Sequence, residues 1–307
     1  MKSRFLHKIV IFSIPLIVIF AIVLGQADGY TDPFYIRFTT PKQNNLILGT
    51  SRAAQGLQPD VFKDILDTDI YNYAFTVTHS PYGPTYLNSI KKKFSKKGEN
   101  NIFIVTVDPW SISSISKKPN DYLNFIEVNL CLGNTPIVNV KPNYWYILNN
   151  LNGDFDKILN DDSSPTYLHE NGWLEESVHM DAVSLNQRLD RNIDFYLKNN
   201  LPKFHFSSLR FEYLKKTIDY LNQYGKVFLV RLPVHERMLE IERRLMPDFN
   251  DKIKEIESIS DGYFDMTPPH QNYKYTDGNH LFKDSGKVVS KEIAGWIKSE
   301  KQSPDRR

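Results

Sequence analysis

The chain has 307 residues, 41% of them hydrophobic, and its 38 Lys and Arg nearly balance 36 Asp and Glu for a net charge of +2. That length and apolar content suffice for one large domain with a full core. The charge balance gives no basic face of the kind nucleic acid requires, and the single cysteine, Cys131, excludes an internal disulfide framework.

Lys2, Arg4, His7 and Lys8 precede Ile9–Leu24, the uncharged run IVIFSIPLIVIFAIVL. Such a run is close to the lower limit of about 17 residues for a membrane span. The basic flank predicts a cytoplasmic N-terminus and export of everything that follows. Gly25-Gln26-Ala27 supplies small residues at which a signal peptide can be cleaved. Against cleavage, the apolar run is longer than a usual signal core and carries Pro15 in its middle. Residues 1–28 therefore read as an uncleaved single-pass anchor, with a signal peptide as the alternative, and residues 29–43 as a connector to a domain at 44–298.

Within that domain, short β-rich runs alternate with helical patterns. Asn45–Gly49 suits a buried strand, and Pro59 stands at the first position of a helix whose apolar side includes Val61, Ile65 and Leu66. Ile70–Phe75 is a second strand, Pro84–Phe94 a helix, and Asn101–Asp108, uniformly apolar and β-branched, a third strand. Leu209–Tyr224 is an amphipathic helix, Lys226–Pro233 a fourth strand, and Tyr263–Met266 a fifth. Phe282–Lys298 closes the domain as a helix with Val288, Val289, Ile293 and Trp296 facing inward. Alternation of this kind predicts an α/β fold with a parallel sheet covered on both faces, its ligands beyond the carboxyl ends of the strands.

The stretch 111–202 is too long for a plain crossover. It is rich in Asn, Asp and aromatics, and reads either as a cap on the active edge or as a peripheral hairpin. Lys91, Lys92, Lys93, Lys96 and Lys97 read as the solvated end of a helix, Cys131 as a small buried residue, and 299–307 as a frayed tail.

Two segments carry chemistry. In Leu46-Ile-Leu-Gly-Thr-Ser-Arg52 an apolar strand ends in glycine and a serine follows in the first turn. Ser51 then sits at the sheet edge, close to backbone N–H groups that can stabilise an oxyanion. Alone, it reads more readily as a turn or helix cap, since serine caps are common. In Tyr275-Thr-Asp-Gly-Asn-His-Leu281 the spacing lets Asp277 hold one ring nitrogen of His280 while the other faces a serine.

GTS after the first strand, with DGNH before the last helix, resembles the SGNH/GDSL hydrolase superfamily over about residues 45–297. The resemblance implies a flavodoxin-like three-layer sandwich with Ser51 as nucleophile, His280 as base and Asp277 as its orienting carboxylate. The N-terminal anchor, GTSR, VRLPVH and DGNHL together are similar to membrane-anchored envelope members, the DltD-like and AlgJ/AlgX-like acyl-transfer proteins. The chain departs from the superfamily where a GxND asparagine would complete the oxyanion hole: it reads Val107-Asp-Pro-Trp110. Asn72 and His79 are the alternative donors, with the Ser51 N–H.

Arg52, Arg231 and His235 stand at the same edge as candidate substrate contacts, each with a structural alternative: ion pairs for the arginines and a helix cap for His235. No HExxH or HxxxH spacing joins His235, His270, Asp277 and His280 into a metal site, and no cofactor is expected. The expected activity is that of a serine esterase or O-acyltransferase on acyl, chiefly acetyl, esters of a carbohydrate or envelope polymer, with a membrane acyl-donor protein as a partner. The alternative is a non-catalytic envelope component that keeps the fold and binds polysaccharide.

Overall fold

The computed structural model describes residues 2–98, 100–151, 153–159, 164–267 and 272–302. Five strands form one parallel sheet: β1 (Leu46–Leu48), β2 (Tyr71–Asn72), β3 (Asn101–Thr106), β4 (Gly225–Arg231) and β5 (Tyr263–Asp265), in the order β2-β1-β3-β4-β5. β3 is buried along its whole length, as a central strand covered on both faces must be. It runs in register with β4 from Asn101 opposite Gly225 to Thr106 opposite Val230.

The α-helices longer than one turn are α1 (Lys2–Leu24), α2 (Ser51–Gly56), α3 (Pro59–Leu66), α4 (Pro84–Lys93), α5 (Tyr144–Asn150), α6 (Ala182–Phe195), α7 (Ser208–Asn222), α8 (Glu236–Leu245), α9 (Phe249–Glu257) and α10 (Lys283–Gln302), and a single turn at Cys131–Asn134 is also helical. α10 packs on α2 and α3, whereas α7 packs on β4 and α4. Pro59 opens α3, where its missing N–H costs no helical bond. In α10 the buried side is Val289, Ile293, Ala294 and Ile297. Val288 is 41% exposed, one step off that stripe. Trp296 instead closes the β5 side, against Phe228 and Phe264.

The second strand is shorter than the sequence pattern suggests. After Asn72 the regular ladder ends, yet Tyr73 N still donates to Ile47 O at 2.8 Å and Phe75 N to Gly49 O at 3.3 Å. The Ser80 hydroxyl accepts from Phe75 N and donates to Gly49 O. The apolar run thus keeps its place beside β1 while the chain bends away.

The segment 29–43 is no free connector. Tyr35, Ile36, Arg37 and Phe38 form a buried 3-10 turn. Burial pushes the Arg37 guanidinium down to about 10, and it donates to Pro33 O, Asn72 O and Gly172 O. Lys93 is likewise buried, contrary to the solvated role suggested by its lysine run. Its ammonium donates to Thr40 O, Thr40 Oγ1 and Val138 O and lies over the Tyr71 and Tyr73 rings. Desolvation brings its pKa down to about 7. Lys91 is exposed, as expected of a helix end.

The stretch between β3 and β4 holds α5, α6 and two antiparallel ribbons, one pairing Ser113–Ser114 with His205–Phe206 and the other Thr166–Leu168 with Leu174–Glu176. Tyr146, Ile147 and Leu168 join the main core, and Cys131 is buried and free. α1 is apolar and exposed over most of its length; only Leu24 and, just beyond, Ala27 enter the core. At the other end, α10 carries the helix through Gln302, so Ser299–Gln302 of the expected tail are helical, and residues 303–307 lie outside the described residues.

Candidate active site

β1 delivers the chain to the carboxyl edge of the sheet, where Gly49 makes the turn. Its φ is +149°, and a Cβ there would lie 1.8 Å from Thr106 Oγ1; only glycine fits both the backbone and the gap. Thr50 follows in extended conformation, and Ser51 opens α2. The first helical turn leaves the N–H groups of Ser51 and Arg52 without intrahelical acceptors.

On the opposite side, the loop before α10 is built around the Asp277 carboxylate. Oδ1 accepts from the N–H groups of Asn279 and His280, each at 2.9 Å, and Oδ2 lies 2.9 Å from His280 Nδ1. Gly278 has φ +85°, and a Cβ there would meet Leu189 at 2.4 Å. The tight turn delivers His280 Nε2 to within 2.8 Å of Ser51 Oγ. Serine, histidine and aspartate therefore form one continuous hydrogen-bonded chain. With Nδ1–H donating to Asp277, Nε2 is the acceptor for the serine proton. Burial pushes the Asp277 carboxyl up, but the charge and hydrogen bond of His280 and the two backbone N–H donors outweigh it, and the group sits at about 2. It is an anion at any pH where the site would work.

Neither Arg52 nor Arg231 lines the cleft onto which Ser51 opens, and both are engaged in buried ion pairs. Arg52 Nη1 lies 2.5 Å from Glu242 Oε1 and 3.8 Å from Asp108, while Nε and Nη2 donate to Asn279 Oδ1 at 2.9 and 2.6 Å. Arg231 contacts the other Glu242 oxygen at 3.1 Å and donates to Asn250 Oδ1. The result is a buried Arg52–Glu242–Arg231 relay beneath the site. Buried cations need such partners. Arg52 is thereby a positioning residue: it fixes the Asn279 amide, whose Nδ2 lies 3.2 Å from Tyr196 Oη and 3.3 Å from His280 Nε2.

Asn72 is not an oxyanion donor. Its amide nitrogen is spent on Ala53 O and Leu57 O, and its oxygen accepts from Ala74 N. His79 also points elsewhere. Nδ1 bonds Thr76 Oγ1 at 2.7 Å and the ring packs on Phe34, with burial pushing its pKa down to about 4. His235 caps α8: Nδ1 accepts from Arg237 N, and its own N–H donates to Gly278 O. Asp108, at the position of the missing asparagine, accepts from Ser111 N and pairs weakly with Arg52. Among the described residues no three His, Cys, Asp or Glu side chains gather as metal ligands, and His270 lies outside those residues.

Ser51 opens onto a cleft of about 650 Å³, within the usual range of small-molecule sites. One wall is the segment after α1, with Tyr30, Thr31 and Phe34. The opposite wall is the insertion, with Lys157, Thr166 and Glu176. The insertion thus does flank the active edge. Its Trp173 stacks on His169 and donates to Gln55 O, while Trp145 lies on the outer surface, 54% exposed. Thr76 also lines the cleft, and its N–H has no backbone acceptor among the described residues. Burial raises the Glu176 carboxyl, which accepts from Thr166 Oγ1 at 2.8 Å.

Asn279, Glu242, Thr76 and Glu176 were not singled out by sequence. Asn279 sits inside the DGNH motif and carried a signal; the other three occupy ordinary helical, loop and ribbon contexts and carried none.

The chain matches no known family model and no curated protein sequence at significance.

Proposed function

We propose that the protein is a serine-dependent esterase or O-acyltransferase. It acts on acyl esters, chiefly acetyl, of a cell-surface polysaccharide or envelope polymer. The observation that carries this reading is the unbroken chain from Ser51 Oγ through His280 to Asp277, assembled from segments 229 positions apart. Ser51 attacks the ester carbonyl as its proton passes to His280 Nε2, giving a tetrahedral intermediate. The Ser51 N–H, left without an intrahelical acceptor at the start of α2, is the donor available to this oxyanion. The alkoxide leaves as alcohol with the proton returned by His280, and Ser51 keeps the acyl group. Water or a sugar hydroxyl, deprotonated by His280, then takes the acyl group and restores Ser51.

The strand order 2-1-3-4-5 is that of flavodoxin-like sheets, which supports the SGNH-type reading of the motifs. So does the placement of Gly49, Asp108 and Pro233 at one carboxyl edge. The cleft mixes hydroxyls, carboxylates, a lysine and two aromatic rings, a lining that suits a polyhydroxylated acceptor. α1 supports a single-pass anchor with the domain outside the cytoplasm.

The absence of a side-chain amide at the Asp108 edge favours a second reading, a polysaccharide-binding component without turnover. Acetyl-ester hydrolysis, measured alone and with an oligosaccharide acceptor, separates the cases. Hydrolysis alone marks an esterase, acceptor-dependent acetyl transfer marks a transferase, and neither marks the binding component.

A further inference from the structure

The insertion carries large exposed apolar side chains where α1 joins the domain. On α5, Tyr146 and Ile147 are buried, but Tyr144, Trp145 and Leu148 are 40%, 54% and 56% exposed. Leu159, 60% exposed, follows the 3-10 turn Phe155–Ile158. Two contacts fix this surface against the end of α1. Tyr144 Oη donates to Ala21 O at 3.1 Å, and the Phe155 ring packs edge-on against Phe20 at 6.0 Å. Both partners belong to the last part of the uncharged run Ile9–Leu24, so the patch lies level with the end of the apolar helix.

The uncharged run covers about 24 Å at 1.5 Å per residue, and the helix is long and apolar enough to cross a membrane over its 21 residues Arg4–Leu24. Its exit from the bilayer therefore falls near Leu24, beside the patch, and Tyr and Trp are the residues that favour that boundary layer. The nearby cations Lys141 and Lys157 are paired with Glu170 and Asp154, so the patch is apolar rather than electrostatic in character.

We propose that Tyr144, Trp145, Leu148 and Leu159 form an interfacial collar. It lies in the bilayer surface around the exit of α1 and seats the Ser51 cleft against the membrane. The cleft wall begins at Gly29, five residues beyond Leu24, hence within about 18 Å of the helix end. The ester that reaches Ser51 is then one presented at the bilayer surface, on a lipid carrier or a membrane-apposed polymer. This inference rests on α1 being an uncleaved span.

Tryptophan fluorescence of the full chain in phosphatidylcholine vesicles, with and without brominated acyl chains, tests the collar. Flotation is measured on the same samples. The full chain floats with the vesicles, bromination quenches part of its emission, and Trp145→Phe removes most of the quenchable part. Added anionic lipid leaves the quenching unchanged. Failure to float overturns the anchor and the collar together. Flotation with equal quenching in the parent and Trp145→Phe proteins overturns the collar alone and marks the patch as a site for another protein.

Discussion

At His280 the two ring nitrogens have separate duties, and the distances assign them. Nδ1 is held by Asp277 and Nε2 faces Ser51. Groups that act as one unit lose nearly everything when either is removed. Ser51→Ala and His280→Ala should therefore each lower kcat by about 10⁴-fold or more, to similar residual rates. Asp277→Asn should be about tenfold or more milder, since an orienting carboxylate contributes less than nucleophile or base. Steady-state kinetics on an activated acetyl ester check both. Asp277 also links the site to stability. Its folded pKa of about 2 lies below the ordinary 3.8, so its stabilisation is fully present above about pH 4 and lost as pH falls through about 2. The melting-temperature gap between the parent and Asp277→Asn proteins should be widest above pH 4 and close near pH 2. A gap that widens on acidification contradicts the assignment.

At the scale of elements, the site depends on how α2, α8 and the loop before α10 are locked together. Glu242 of α8 stands between Arg52 and Arg231, and both arginines are nearly fully buried. Glu242→Leu strands two cations and should cost about 3–5 kcal/mol in urea unfolding. Arg52→Lys keeps a charge but loses the forked grip on the Asn279 oxygen. It should lower kcat about 10–100-fold, because a slight misplacement of a catalytic loop is enough, with KM little changed. The same elements show what sequence can reveal. β3 and the middle of β4 were readable because a strand buried on both faces is apolar there, and Ser51, Asp277 and His280 because their residue types and spacing are tied to one chemistry. Arg52 and Arg231 were visible as charges in apolar surroundings. Their shared partner was not, because Glu242 in α8 looks like any charge on an amphipathic helix until the fold turns it inward. Asn72 misled because an amide at a sheet edge reads the same whether it faces a substrate or two backbone carbonyls. Lys93 misled in the same way: three successive lysines look solvated, and only the packing of α4 on Tyr71 and Tyr73 shows which one turns inward.

At the scale of the whole molecule, the apolar N-terminal helix, the cleft and the insertion are one arrangement. The end of α1 and the segment after it enter the core through Leu24, Ala27 and Tyr35, and that segment then forms a wall of the cleft. The domain is therefore not tethered on a loose linker, and the site keeps a fixed relation to the end of α1. Full-length protein should stay with the membrane fraction after alkaline carbonate extraction, whereas release of a chain beginning near Asp28 would show a cleaved signal peptide. The proposed function stands on Ser51 being a nucleophile activated by His280. It is tested most directly by labelling the folded full-length protein with a fluorophosphonate and locating the adduct by mass spectrometry. A single adduct on Ser51 is expected, absent from Ser51→Ala and strongly reduced in His280→Ala. No adduct under conditions where an active serine hydrolase is labelled, or an adduct that forms equally fast without His280, would contradict it.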